Sequence, residues 1–168
     1  MRLPAIRLTQ EAFSHFDEAI QREWLVTNGL GGYASSTVLG INTRKYHGLL
    51  VAALHPPCNR TVCLAKLDEE ICVGNNVYQL GANEFHGAIF PQGYKLLKEF
   101  SVAPFPRYVY TAHGIEVTKT IFMPSGKNAV ATIYKIQNGS GSGVNFRVYP
   151  LLTCRHFHLV VDKTRNPL

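Results

Sequence analysis

EWLVTNGLGGYASSTVLGINTRKYHGLL, residues 23–50, holds the only Trp of the chain together with Gly29, Gly31, Gly32, Gly40 and Gly48. Glycines let the backbone take positive φ and let another surface come close. Gly29 to Ala34 fits G-x-G-x-x-A after an extended run Trp24–Thr27, the pattern of a dinucleotide-binding loop. The surroundings do not suit that reading. Such a loop needs a helix next and an acidic residue about 20 positions on. Here Ser35-Ser36-Thr37-Val38-Leu39 favours a strand, and no Asp or Glu lies between Trp24 and Leu67. Two or three strands joined by tight turns fit better, with turn chemistry at Asn28-Gly29 and Ile41-Asn42.

Arg44, Tyr46 and His47 precede the apolar run Gly48–Leu54. Arg and His donate hydrogen bonds and Tyr stacks, so these three near Asn28 and Tyr33 suit a polyhydroxylated ligand or a domain interface. The plainer account is that they cap turns and satisfy backbone groups.

Working outward, Phe13, Phe16 and Ile20 are spaced three and four apart and predict a short amphipathic helix within Thr9–Ile20. His55-Pro56-Pro57 breaks the pattern after the central stretch. Arg60–Val73 reads as one long extended run, turned by Gly74-Asn75-Asn76 into Val77–Leu80. Gly81–Gly93 lacks periodicity and reads as a long loop, with Tyr94–Val102 as the next strand. Alternation is clearest in Tyr108–Thr111 and Val117–Phe122, joined at His113-Gly114. Val130–Gln137 and Val144–Leu152 flank Asn138-Gly139-Ser140-Gly141-Ser142-Gly143, a flexible hairpin loop rather than a domain boundary. About ten short strands at such spacing predict an all-β antiparallel sandwich, one domain over residues 1–168.

The net charge of +6 is scattered, with no basic run longer than Arg44-Lys45, so no electrostatic stripe for nucleic acid is expected. Pairing with an acidic partner domain accounts for the charge equally well. Cys58, Cys63, Cys72 and Cys154 form no C-x-x-C pair, so neither zinc nor another metal or cofactor is expected. MRLPAIRLTQEAF lacks the apolar run of a signal peptide, and no stretch approaches 18 apolar residues. The expected setting is therefore a reducing cytoplasm, away from membranes.

Three clusters invite a chemical reading. Asp68-Glu69-Glu70 places two carboxylates about 7 Å apart along a strand, a separation compatible with an inverting glycosidase. A solvated strand face is the simpler reading, because a general acid also needs burial to raise its pKa. His156 and His158 in Arg155-His156-Phe157-His158 share a strand face, but a third metal ligand is missing. Tyr33, Tyr46, Tyr94, Tyr108 and Tyr110 offer a sugar-stacking platform or, for Tyr108 and Tyr110, core filling.

The residues EWLVTNGLGGYASST and GINTRKYHGLLVAAL closely resemble the N-terminal domain of archaeal and bacterial glycogen debranching enzymes of the amylo-alpha-1,6-glucosidase type. The likeness continues through Arg60-Thr61-Val62, Leu67-Asp68-Glu69-Glu70, Gly93-Tyr94, Pro106-Arg107-Tyr108 and Pro150-Leu151-Leu152 to Arg155 and His158. It implies a β-supersandwich that precedes an (α/α)6 barrel carrying the catalytic carboxylates. No barrel begins before Leu168, so the resemblance implies a non-catalytic part that hydrolyses nothing alone. It implies glycogen or α-glucan and the barrel as partners, not nucleic acid or membrane. Asn28, Tyr33, Arg44, Tyr46, His47, Arg155 and His158 then become candidates for glucan or barrel contact. A self-standing carbohydrate-binding module is the alternative.

Overall fold

The computed structural model describes residues 6–160. Its elements in chain order begin with β1 (Ile6–Thr9) and two short helices, α1 (Gln10–Ser14) and α2 (Phe16–Ala19). Then come β2 (Glu23–Thr27), β3 (Tyr33–Thr37), β4 (Gly48–His55) and β5 (Cys58–Val73). β6 (Asn76–Gln79), β7 (Ala82–Phe85) and β8 (Ala88–Gln92) lead into a 3-10 turn, Gly93–Leu96. β9 (Leu97–Val102), β10 (Pro106–Ala112), β11 (Ile115–Phe122), β12 (Ala131–Asn138) and β13 (Val144–His156) complete the fold.

All pairings between neighbouring strands are antiparallel. One sheet runs β1-β9-β10-β11-β12; the other runs β13-β5-β4-β3-β2, with β6 also on β5. The all-β reading is thus correct. Apolar side chains from both sheets, among them Trp24, Ile71, Phe100, Tyr108, Val117 and Ile121, share one buried core. Each such burial is worth about 1.5–3 kcal/mol before entropy is counted. β11 follows the predicted alternation, with Ile115, Val117, Lys119 and Ile121 turned inward.

Lys119 lies in that apolar row because β5 meets it with Glu69, whose Oε1 is 2.5 Å from Lys119 Nζ. The Tyr134 hydroxyl donates to the same oxygen. A second tie crosses the core where Trp24 Nε1 donates to the Tyr108 hydroxyl, which donates to the Thr37 carbonyl at 2.8 Å. Burial pushes the Tyr108 phenol far above its ordinary range, so it stays a neutral donor.

Several expectations need correction. The predicted helix is two pieces, because Ser14 Oγ bonds the Glu11 carbonyl and His15 leaves helical geometry. Gly81–Gly93 is not a loop: β7 and β8 pair around His86-Gly87, with Gly87 at φ +76°. Phe85 and Phe90 are exposed in this hairpin, so its apolar residues do not mark a buried face. The strand expected from Tyr94 starts at Leu97, after the 3-10 turn. β13 runs four residues beyond the expected end at Leu152, through two register shifts.

Removing Lys119 leaves Glu69 buried with one neutral donor. Lys119→Met is expected to lower unfolding free energy by about 3–5 kcal/mol in urea titration. Adding Glu69→Gln, which discharges the carboxylate, should recover a large part. An unchanged urea midpoint in Lys119→Met would contradict the inter-sheet tie.

Candidate contact face

The Gly-rich stretch is a turn built on Asn28. Its Oδ1 accepts from Leu30 N at 2.9 Å and Gly32 N at 3.0 Å. Its Nδ2 donates to the Lys127 carbonyl at 3.0 Å and to Asn128 Oδ1 at 3.1 Å. Asn28 is 1% exposed, so every polar atom of its amide serves the chain itself. Gly32 has no room for a side chain: a Cβ would sit 2.7 Å from Asn28 Nδ2 and 2.9 Å from the Val51 carbonyl. Strand β3 follows this turn, not the helix that a dinucleotide loop opens.

Loop 42–47 is tied down by His47, which is 2% exposed. Its Nδ1 accepts from Thr43 N at 3.1 Å and Arg44 N at 3.4 Å, which leaves the proton on Nε2. Nε2 lies 3.3 Å from Glu23 Oε1, and Arg44 Nε is 2.5 Å from the same oxygen. Burial lowers the His47 pKa, and Arg44 lowers it further, against the opposing pull of Glu23. Asn42 pins the start of the loop, accepting from Ser36 Oγ and donating to the Ala65 carbonyl at 2.9 Å.

Tyr33, Tyr46, Arg155 and His158 come together. Register makes this possible: Tyr33 pairs with Val51, Val51 with Val62, and Val62 with Arg155, a single row across β3, β4, β5 and β13. The Tyr33 hydroxyl donates to the Tyr46 carbonyl at 2.8 Å. The Tyr46 hydroxyl lies 3.1 Å from His158 Nδ1, and its ring packs 5.5 Å from Phe157. Arg155 donates to the Lys45 carbonyl at 2.6 Å and to the Leu159 carbonyl at 2.8 Å. Burial raises the Tyr33 phenol, while Arg60 and Arg155 beside it pull it back.

Sequence reasoning did not place Arg60 and Phe157 in this group. Arg60 donates to the Gly31 carbonyl at 2.7 Å and lies 5.5 Å from the Phe157 ring centre. Its signal was available, since residues 60 and 62 share a strand face. Next to the patch, Leu25, Thr27, Gly29, Tyr33 and Arg60 border an open concavity of about 500 Å³. Leu151, Leu152, Leu159 and Val160 are exposed along the same end of the chain.

The acidic cluster is not a solvated face. Glu69 and Glu70 are buried, and each carboxylate has its own partners. Asp68 takes Lys66 at 2.9 Å and Asn83 at 2.8 Å; Glu70 takes Arg147 at 3.0 Å and Tyr149 at 2.8 Å. The Tyr149 and Arg147 bonds lower the Glu70 pKa, opposite to what a general acid requires. Tyr108 and Tyr110 lie stacked in the core, and Tyr94 packs on Phe16, so only Tyr33 and Tyr46 remain of the five-residue platform. His156 and His158 face one another and Phe157; among the described residues no group of three or more His, Cys, Asp or Glu is placed to hold a metal.

His47 sets a pH dependence. Its folded pKa lies below its unfolded value of about 6.5. As pH falls from about 6.5 towards the depressed value, the unfolded chain takes up a proton that the folded loop refuses, so stability is lost. His47→Asn keeps an acceptor and removes the titration. Urea midpoints at pH 7.5 and 5.5 are expected to differ less in His47→Asn than in the parent; equal differences would contradict the assignment.

A family model described as glycogen debranching enzyme N terminal matches residues 22–167. No curated protein and no solved structure matches the chain. The chain belongs to the family of glycogen debranching enzyme N-terminal domains.

Proposed function

We propose that this chain is the non-catalytic β-domain of a glycoside hydrolase that cuts α-1,6 branch points in glycogen. In this reading, residues 1–168 form one domain that supports a catalytic (α/α)6 barrel, in the cytoplasm. The face built from Tyr33, Tyr46, Arg155 and His158, with Arg60 and Phe157, meets that barrel at the rim of its glucan site. Arg44 lies at the edge of this face, while Asn28 and His47 hold its loops in place.

The family match carries the reading. Two features of the surface support it. The polar tips of Tyr33 and Tyr46 are already engaged by the chain, and the Tyr46 ring packs at a tilt on Phe157 and edge-on to His158, so neither hydroxyl is left free to orient a sugar. Exposed Leu151, Leu152, Leu159 and Val160 suit a protein surface better than a polyhydroxylated one. The partners of Asp68, Glu69 and Glu70 leave no carboxylate poised as acid or base.

The purified chain is expected to release no glucose from a branched limit dextrin; release would overturn the reading. In calorimetric titration with maltooligosaccharides at millimolar concentration, the isolated chain is expected to show no heat of binding. Binding that is lost in Tyr46→Ala would instead make the face that of a self-standing carbohydrate-binding module.

A further inference from the structure

The two register shifts between β5 and β13 have a chemical result. Leu152 pairs with Leu64, and Arg155 pairs with Val62. Between these pairs β13 has two residues, Thr153 and Cys154, where β5 has one, Cys63. The bulge therefore places Cys154 across from Cys63, although 90 positions separate them in sequence. Both are free thiols; Cys154 is exposed and Cys63 is half-buried. The proximity is also felt electrostatically: burial raises the Cys63 thiol pKa, and Cys154 raises it further.

Directly opposed residues of antiparallel strands hold their Cβ atoms about 4.5–5.5 Å apart. A disulfide needs about 3.5–4.5 Å. A bulge bends its strand and leaves the extra residue outside the ladder, so a small local shift closes the difference.

We propose that Cys63 and Cys154 are a redox pair that oxidises to an intramolecular disulfide bridging β5 and β13. The oxidant is a small-molecule disulfide such as oxidised glutathione. The exposed Cys154 thiolate attacks one glutathione sulfur, forming a mixed disulfide and releasing one reduced glutathione. The Cys63 thiolate then attacks the Cys154 sulfur and expels the second. Two protein thiols lose their protons and two electrons; one oxidised glutathione becomes two reduced molecules. The new bond fixes β13 one residue before Arg155, so it couples oxidation to the position of the aromatic and basic face.

Trypsin separates all four cysteines into different peptides. After incubation with oxidised glutathione, a non-reducing digest is expected to contain Thr61–Lys66 joined to Val148–Arg155, two hydrogens lighter than the sum. In Cys154→Ser, Thr61–Lys66 is expected as the free thiol. Val148–Arg155 carrying glutathione beside an unmodified Thr61–Lys66 would overturn the proposal, as would Cys154 joined to Cys58.

Discussion

The carboxylate of Glu69, held inside the protein by Lys119 and Tyr134, sets the relation between the two sheets. Apolar packing is tolerant of small slips, whereas a buried charge is not. Shifting β5 by one residue along its partners would turn Glu69 outward and leave the Lys119 ammonium alone in an apolar row. The Trp24–Tyr108–Thr37 chain repeats the constraint beside it, because Tyr108 pairs directly with Lys119 on the neighbouring strand. The Glu69 tie fixes which face of β5 looks into the core, and the second tie holds β2 and β3 against β10.

From that fixed strand the candidate contact face follows. β5 pairs with β4, β6 and β13, so its register sets theirs. The same strand that turns Glu69 inward carries Val62 and Arg60 beneath the patch. Once Val62 is placed, Arg155 and, through Val51, Tyr33 stand in one row. His47 and Asn28 then hold their loops by accepting from backbone N–H groups of Thr43, Leu30 and Gly32.

Local pattern made much of the fold legible. Strand alternation at β11 shows because one face is buried and the other is less so. The β7–β8 hairpin was illegible because its apolar residues do not follow its burial: Phe85 and Phe90 are exposed. The extension of β13 past Leu152 was hidden by bulges that interrupt the period of two. The contact face was only partly readable. Tyr46 and His158 are 112 positions apart, and no local rule joins them. Family likeness placed both in one group, and register explains why they meet. Asn28 and His47 look like ligand groups in sequence because turn-holding polar residues and ligand-holding ones have the same composition; only burial distinguishes them.

Family membership and the exposed apolar end around Leu152 fit a domain that works against a second domain. The most direct test is hydroxyl-radical footprinting of this chain with and without a catalytic barrel of the debranching family. The account predicts that Tyr46, Phe157, His158 and Leu152 lose reactivity when the barrel is present, while Val77 and Phe105 keep theirs. Unchanged labelling of the Tyr46 face, with protection at Val77 or Phe105 instead, would contradict it.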